Sequence, residues 1–332
     1  MDMTLIWAVV IALAVLLYVI FDGFDLGVGI LFPFRPSEPD RDLMMNSVAP
    51  FWDGNETWLV LGGNGLLVAF PLAFSILLPA LYLPILLMLL ALVFRGVAFE
   101  FRWVAKPRHQ FWDVAFALGS TCAAFAQGLV LGGFIQGVTM EADRFAGSSF
   151  DWATPFSLMC GLGLTAGYAL LGATWINYKV HGELAVWARS TARVTLLIVL
   201  GFVLLVSLWT PLRYPSIAER WFSFPNLLFL SPVPLITALV GLAIWRNLRQ
   251  GHDLGPFVGA VMLFLLGFVG LAISFYPIVV PPSLTLFEAA AHPDSQMFSL
   301  VGVLMLLPII VGYFVFVYWT FRGKLRPGEG YH

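Results

Sequence analysis

The chain has 332 residues, of which 60% are hydrophobic and only 11% are charged, and its mean hydropathy is +0.90. Ordinary soluble domains have about a quarter charged residues, so this composition excludes a soluble globular protein and predicts an integral membrane protein. The formal net charge of -2 and the scattered arginines give no indication of nucleic-acid binding.

The apolar runs predict an all-α fold, a single polytopic membrane domain over residues 1–332. A helix needs about 20 apolar residues to cross a bilayer core of about 30 Å. Nine transmembrane helices are expected, near 5–31, 55–74, 78–99, 111–135, 154–178, 194–210, 225–245, 256–276 and 297–321. Pro71 and Pro79 bracket the turn expected between the second and third of them.

The basic residues predict the orientation. With the N-terminus outside, 14 of the 17 Lys and Arg lie on the inner side, namely Arg35, Arg41, Arg95, Arg102, Lys106, Arg108, Lys179, Arg189, Arg193, Arg246, Arg249, Arg322, Lys324 and Arg326. Arg144, Arg213 and Arg220 are left outside. Because inner loops of membrane proteins are enriched in Lys and Arg, we expect an N-out, C-in chain with an odd number of spans.

The first predicted helix carries two aspartates in "YVIFDGFDLGVGIL". Asp22 and Asp25 are three residues apart and therefore lie on one helix face. Ionisable groups at membrane depth usually face a bundle interior or a water-filled cavity and mark an ion or proton path. Gly23, Gly27 and Gly29 leave positions at which another helix can approach closely. We therefore expect both carboxylates at a tight helix contact.

A second acidic pair, Asp53 and Glu56, stands where the second helix begins, in "FWDGNETW". One interpretation is a capping box, with Asp53 as N-cap and Glu56 at N3. The other is a proton-uptake site, because these acids, the two aspartates of the first helix and Glu100 all fall at the inner side. Closely set acids can hold protons near neutral pH. Arg95 and Arg102 supply counter-charges, so a purely structural ion-pair network is the alternative.

The histidines give no indication of a haem site. All five fall in predicted loops or at the C-terminus, at His109, His181, His252, His292 and His332. A haem within the bilayer is normally held by axial histidine, so we expect this chain to ligate none. Cys122 and Cys160 form no metal or redox motif and are expected to be small buried hydrophobes. The stretches "VLGGNGLL" and "GLVLGGF" are expected to be helix-packing surfaces.

The motif "FDGFDLGVGIL" followed by "NSVAPFWDGNETWLV" resembles subunit II of the bacterial cytochrome bd-type quinol oxidases, a family that includes cyanide-insensitive members. Further similar stretches are "FRGVAFEFR" at 94–102, "GATWINYKVHGEL" at 172–184 and "PIVVPPSLTLFEAA" at 277–290. The resemblance extends over nearly the whole chain. Gly96 and Glu100 depart from it, at positions where the family has proline and aspartate.

The resemblance implies a fold of two four-helix bundles plus one peripheral helix in the bacterial inner membrane. It implies a partner, subunit I, that carries haems b, haem d or its replacement in cyanide-insensitive members, and the quinol site. The complex oxidises quinol, reduces O2 to water and takes up protons from the cytoplasm, so it is electrogenic, whereas this chain alone is not catalytic. A small single-helix accessory subunit and a structural quinone in this subunit are features of some members.

The resemblance also assigns site residues. Asp53 corresponds to an aspartate of a water-filled proton pathway between the subunits, and Asp22, Asp25 and Glu100 match further acidic positions of the family. Trp58 corresponds to a tryptophan near the start of a hydrophobic O2 route in some members.

Two other classes of protein remain alternatives. A proton-coupled secondary transporter would be expected to show inverted repeats and interrupted helices in matching halves, and no internal repeat is visible in the sequence. A purely structural membrane scaffold is the other. The transporter predicts activity from this chain alone, whereas the oxidase subunit predicts none without its partner.

Overall fold

The computed structural model describes residues 2–105 and 109–326, and these residues are mostly helical. Lys106, Arg108 and His332, which were expected in loops or at the terminus, lie outside them. A 3-10 helix, Phe32–Phe34, follows α1. The α-helices are α1 (Met3–Leu31), α2 (Glu38–Asn46), α3 (Trp52–Ala69), α4 (Pro71–Ala80), α5 (Tyr82–Val104), α6 (Gln110–Gln136), α7 (Pro155–Lys179), α8 (Gly182–Arg213), α9 (Pro215–Phe222), α10 (Asn226–Leu230), α11 (Pro232–Gln250), α12 (Leu254–Phe275), α13 (Leu286–Ala289) and α14 (Pro293–Thr320).

Two short antiparallel hairpins interrupt the helices. β1 (Met140–Glu141) pairs with β2 (Arg144–Phe145) between α6 and α7. Ala142 and Asp143 form its turn with φ of 47° and 61°, which is typical of a two-residue type I′ turn. β3 (Ile278–Val280) pairs with β4 (Leu284–Thr285) after α12, with a bulge in the register. Both hairpins lie in connections and leave the helical packing uninterrupted.

Helix α1 is the centre of the packing. It contacts α3, α6 and α7 extensively, and α12 and α14 over smaller areas. Around it, α5, α6, α7 and α8 pack in chain order, while α11 and α12 pack on each other and against α8 and α7. Helix α14 packs mainly against α1 and α3 and exposes most of its large side chains. The first helix is therefore largely surrounded by protein at its carboxyl end, where both aspartates lie.

Glycines produce the closest helix contacts. A Cβ atom at Gly27 would lie 1.9 Å from the carbonyl oxygen of Tyr168, and one at Gly172 would lie 2.2 Å from the carbonyl carbon of Gly27. A Cβ at Gly128 would lie 2.5 Å from the carbonyl oxygen of Cys160. Only glycine permits backbones to meet at such distances. The expected packing role of Gly27 and of "GLVLGGF" is confirmed.

The expected turn between Pro71 and Pro79 is wrong. The chain breaks earlier, at Phe70 (φ -134°, ψ 61°), and Pro71 begins the separate helix α4. The break follows from the proline, because its ring disfavours a helical conformation at the preceding residue and it has no N–H to donate. The run 55–74 is therefore not one helix. Helix α5, which corresponds to the span predicted at 78–99, begins at Tyr82.

Eight helices of the described residues are long and apolar enough to cross a membrane. They are α1, α5, α6, α7, α8, α10 continued by α11, α12 and α14. Helix α3 is not among them, because polar residues such as Asp53, Asn55 and Glu56 lower the hydropathy of its 18 residues. The ninth span expected at 55–74 thus remains a prediction.

Two boundaries place basic residues differently from the expectation. Helix α8 begins at Gly182 instead of 194, so Arg189 and Arg193 lie on a helix and not in a loop. Arg95, which is counted among the inner-side basic residues although it falls within the predicted helix 78–99, lies within α5 and is fully buried. Hydropathy marks only the apolar part of a helix, and a helix that continues into the polar region is not detected by it.

Candidate functional site

Four side chains from three helices form a buried carboxylate cluster, defined as Asp22, Asp25, Glu56 and Arg95. Asp22 and Asp25 on α1 and Arg95 on α5 are all fully buried. Arg95 Nη2 donates to Asp22 Oδ1 at 2.7 Å and to Glu56 Oε1 of α3 at 2.5 Å. One guanidinium thus pairs with two carboxylates, and Asp25 lies one turn further along α1, in a site where unpaired charge is costly. Such an arrangement is suited to holding an exchangeable proton.

Asp25 is held from the opposite side by α3 and α14. Asn55 Nδ2 donates to Asp25 Oδ2 at 2.7 Å and to the Phe21 carbonyl oxygen at 3.2 Å. The Tyr318 hydroxyl donates to Asn55 Oδ1 at 3.1 Å. The Asn55 amide is therefore fixed at both ends, and α14 contributes to the site through it.

A second set of hydrogen-bonded polar side chains crosses the helix bundle near the cluster. Its first member, Tyr18, is buried on α1 one helical turn before Asp22. Gln127 Nε2 of α6 donates to the Tyr18 oxygen at 2.8 Å, and the Tyr168 hydroxyl of α7 donates to Gln127 Oε1 at 2.6 Å. Three helices thus meet behind Asp22 through hydrogen bonds.

Several buried polar atoms of the cluster make no hydrogen bond to another group of residues 2–105 and 109–326. They are Asp22 Oδ2, Asp25 Oδ1, Arg95 Nε and Arg95 Nη1. Buried polar groups in native proteins are nearly always paired with protein or ordered water. The two carboxylate oxygens can accept a hydrogen bond from water or carry a proton, whereas the two guanidinium nitrogens can only donate, for example to water.

The other residues expected at the site lie nearer the surface. The Glu56 side chain is 29% exposed, so it connects the buried cluster with the surface. Asp53 is exposed one turn before it on the same helix. Glu100 is also exposed, but it lies on α5 beyond Arg95 and does not join the cluster. Trp58 is buried, with its ring centroid 5.3 Å from that of Phe314.

The capping-box interpretation of Asp53 and Glu56 is wrong. Helix α3 begins at Trp52, its N-cap is Phe51, and no side chain caps it. Asp53 therefore lies within the first turn. Glu56 does not reach back to the helix start, because its carboxylate is bonded to Arg95.

Arg102 pairs with a separate group of acids. Its Nη1 donates to Asp42 Oδ1 and its Nε to Asp113 Oδ1, both at 2.6 Å, and Arg41 Nη1 lies 3.1 Å from Asp113 Oδ2. This group joins α2, α5 and α6, and it does not include the carboxylate cluster. The expected counter-charge role is therefore met by Arg95 and not by Arg102.

Sequence reasoning missed Tyr18, Gln127, Tyr168 and Tyr318. A glutamine in the middle of an apolar run is a polar group at membrane depth, so Gln127 carried a usable signal. Tyr18 lies one helical turn before Asp22, which is also a usable signal. Tyr168 and Tyr318 carried none, since tyrosines are common at membrane interfaces.

The described histidines lie outside the apolar spans. His109, His181 and His292 are the N-cap residues of α6, α8 and α14, and His252 lies in the turn between α11 and α12. Across 2–105 and 109–326, no group of three or more His, Cys, Asp or Glu is arranged to hold a metal ion.

Known proteins match this chain over nearly its full length. Residues 3–321 match the family model "Cytochrome bd terminal oxidase subunit II". The chain is 26% identical to cytochrome bd-I ubiquinol oxidase subunit 2 of Escherichia coli K12 (98% of this chain, 95% of that one). It is 27% identical to cytochrome bd ubiquinol oxidase subunit 2 of Bacillus subtilis 168 (98% and 97%).

A solved structure has the same fold. A chain of the bd oxidase from Geobacillus thermodenitrificans superimposes with a TM-score of 0.78 at 18% identity, covering 97% of this chain and 99% of that one. The match of the family model to almost every residue decides the classification. The chain belongs to the cytochrome bd terminal oxidase subunit II family and is a multi-pass protein of the inner membrane.

Proposed function

We propose that this chain is the non-haem subunit II of a terminal oxidase that oxidises quinol, reduces O2 to water and takes up the required protons from the cytoplasm. The observation that carries the proton role is the carboxylate cluster, because two acids pair with one buried guanidinium, the buried Asp25 lies one turn away on α1, and Glu56 reaches the surface. The names of the relatives support quinol as the electron donor. Family membership does not favour the proton-coupled transporter.

The proposed arrangement has nine spans in an N-out, C-in orientation. Helix α3, about 27 Å long at 1.5 Å per residue, together with α4 is the ninth. The packing supports one bundle of α1, α3, α5 and α6, another of α7, α8, α11 and α12, and a peripheral α14. Of the 17 Lys and Arg, 14 lie at or after the carboxyl ends of α1, α5, α7, α11 and α14 or near the start of α8, which supports an inner location for that side.

The proposed proton route begins at the exposed acids and ends in the cluster. Asp53 and Glu100 collect protons at the inner surface, and Glu56 passes them to Asp22 and Asp25. Transfer between Glu56 and Asp22 is favoured by their common contact with Arg95 Nη2. From the cluster, protons continue to the partner subunit, where O2 is reduced.

The remaining proposals concern the partner and O2. Subunit I carries haems b and haem d, or the haem that replaces it, and it also provides the quinol site. A small accessory subunit and a structural quinone are further candidate components. Trp58, packed with Phe314 and Tyr18, lies in an apolar region suited to the passage of O2.

Replacing Asp53 by asparagine is expected to lower turnover several-fold while the haem-containing complex still assembles. Asparagine keeps the shape of the side chain but cannot carry a proton. The measurement is quinol-dependent O2 uptake per haem in the purified two-subunit complex. Asp143→Asn in the exposed β1–β2 turn is the matched control and is expected to retain full turnover. Loss of assembled complex in Asp53→Asn would instead support a structural role.

The proposal that haem belongs to the partner predicts two different spectra. This chain purified alone is expected to be colourless in a reduced-minus-oxidised visible spectrum. Co-expression with subunit I is expected to give b-type and d-type bands and quinol-dependent O2 uptake. A haem spectrum from the chain alone contradicts the proposal, and absence of any spectrum from the pair would favour a transporter.

A further inference from the structure

We propose that a layer of aromatic side chains closes the inner side of the carboxylate cluster, so that protons enter the cluster past Glu56 and not directly along the helices. The layer, called the aromatic layer, consists of Phe32, Phe51, Trp52, Phe99, Phe116 and Trp175. This inference rests on the proposed proton role of the cluster and on the proposed orientation. It adds a barrier that determines where protons enter.

Helix α5 places an aromatic ring between two groups of ion pairs. Arg95, Phe99 and Arg102 are four and three residues apart, so they lie on one face of the helix. Arg95 pairs with Asp22 and Glu56 of the cluster, whereas Arg102 pairs with the separate group of acids. At 1.5 Å per residue, Phe99 follows Arg95 by about 6 Å and precedes Arg102 by about 4.5 Å along the helix. Phe99 therefore lies between the cluster and the second group.

Helix α6 and the end of α1 repeat this order. Phe116 of α6 contacts Phe99, with ring centroids 5.1 Å apart, and Asp113 of the same helix accepts from Arg102 Nε at 2.6 Å. Helices α5 and α6 thus meet ring against ring at one level and charge against charge at the next. Phe32 lies at the carboxyl end of α1, beyond both aspartates, and its ring centroid is 5.1 Å from that of Phe116. Three helices therefore supply rings at the same level.

The rings of this part of the layer are buried and in continuous contact. Phe32, Phe99 and Phe116 are at most 2% exposed. Trp52, at the start of α3, stacks on Phe99 with centroids 5.0 Å apart and an interplanar angle of 10°. A Cβ at Gly96 would lie 3.1 Å from the indole, so α5 fits closely against it. The rings therefore form an unbroken apolar row from α3 to the end of α1.

Phe51 and Trp175 extend the layer toward α7. They meet edge to face with centroids 5.7 Å apart, and they are 3% and 4% exposed. Trp175 Nε1 donates to the Ser47 carbonyl oxygen at 3.2 Å, so the polar atom of this ring is already paired. Phe51 directly precedes Trp52 in the chain, which joins the two parts of the layer.

A layer of this kind does not conduct protons. A buried water is typically held by about three hydrogen bonds to polar groups, and the carbon atoms of these rings supply none. Apolar constrictions of channels exclude water for the same reason. Because protons move through a membrane protein along water or titratable side chains, a dry layer separates the cluster from the inner surface on this side.

Glu56 passes the layer at its edge. Its side chain is 29% exposed, it lies one turn after Trp52 on α3, and its carboxylate is bonded to Arg95. The Arg95 guanidinium carbon lies 5.7 Å from the centroid of the Trp52 ring. The partly buried Trp52 therefore forms the border between the closed layer and the route through Glu56.

The test is a rescue of turnover in the assembled two-subunit oxidase. Glu56→Gln is expected to lower quinol-dependent O2 uptake per haem about tenfold, because glutamine keeps the size of the side chain but carries no proton. Adding Phe99→Ser to Glu56→Gln is expected to raise turnover again about threefold, since serine leaves space in the layer and its hydroxyl holds water there. Removal of a residue that only stabilises the fold would lower turnover further.

Two controls separate the layer from packing in general. Phe99→Leu fills most of the space with an apolar side chain and is expected to give no rescue. Phe156→Ser makes the same change at a buried phenylalanine of α7 outside the layer, 4% exposed, and is likewise expected to give none. Absence of rescue by Phe99→Ser in an assembled complex overturns the inference, and so does equal rescue by Phe156→Ser.

Single variants distinguish failure of the inference from failure of the proposed function. Full turnover in Glu56→Gln, beside an impaired Asp22→Asn, shows that protons bypass Glu56; this overturns the inference and leaves the role of the cluster standing. Full turnover in both variants removes the proposed proton role and the inference with it.

A measurement on the wild-type oxidase tests the layer directly. If Phe99→Ser does not assemble, Phe116→Ser takes its place, and if neither assembles, the wild-type complex is labelled with hydroxyl radicals generated from water by X-rays and analysed by mass spectrometry. Phe99 and Phe116 are expected to stay unlabelled, whereas Phe34, which is 67% exposed, is expected to be labelled. Labelling of Phe99 or Phe116 at the rate of Phe34 reveals water within the layer and overturns the inference.

Discussion

Replacing Arg95 by glutamine is expected to prevent accumulation of the assembled oxidase. The guanidinium is fully buried and bonds both Asp22 and Glu56. Removing one partner of a buried ion pair costs about 3–5 kcal/mol, because the remaining charge is left uncompensated. This is a large part of the roughly 5–15 kcal/mol by which native proteins are stable. The measurement is the yield of haem-containing complex and its thermal unfolding temperature.

Two further variants show whether the lost charge is the cause. Arg246→Gln changes an exposed arginine on α11 and is expected to leave the yield unchanged. Adding Asp22→Asn to Arg95→Gln removes one of the uncompensated carboxylates and is expected to restore part of the stability. Normal yield and unfolding temperature for Arg95→Gln would show that the cluster does not depend on this guanidinium.

Replacing Gly27 by alanine is expected to have the second largest effect on stability. The new Cβ would lie 1.9 Å from the Tyr168 carbonyl oxygen and 2.7 Å from the Gly172 nitrogen. Both atoms are backbone, so α1 and α7 have to separate. Overpacking costs about 1–3 kcal/mol and occasionally more. The unfolding temperature and the yield of the complex are both expected to fall.

Gly201→Ala is the matched control, because nothing lies within 4 Å of a Cβ at this position on α8. It is expected to be neutral or slightly stabilising, since alanine is favoured over glycine in helices by up to about 1 kcal/mol. Equal unfolding temperatures for Gly27→Ala and Gly201→Ala would contradict the close contact of α1 with α7.

The sequence predicts the all-α membrane class because hydropathy over about 20 residues reports directly on burial in lipid. It predicts helix boundaries less well, as the end of α3 and the start of α8 show. Pro71 ends α3 early, but proline is common in membrane helices, so its effect was not decisive in advance. Helix α8 extends through Arg189 and Arg193, where hydropathy gives no signal.

The convergence of Asp22, Asp25 and Glu56 was predictable, because the carboxyl end of the first helix and the start of the next are expected on the same side of the membrane, and none of the three acids is compatible with lipid. The hydrogen bonds that join Tyr18, Gln127 and Tyr168 were not predictable. Tyr18 and Gln127 are 109 residues apart in sequence, and Gln127 and Tyr168 are 41 apart. Such pairings depend on how helices rotate against each other, and a single sequence does not specify that rotation.

The hydrogen bond from Tyr318 to Asn55 has a consequence for biosynthesis. Helix α14 is translated after α1, α3 and α5, so the amide that holds Asp25 acquires its outer partner only when α14 has entered the membrane. Until then, the acids of the early helices lack one of their supports. The site is therefore complete only after α14 has been inserted. In a chain whose translation stops before α14, Asn55 lacks its hydrogen bond from Tyr318.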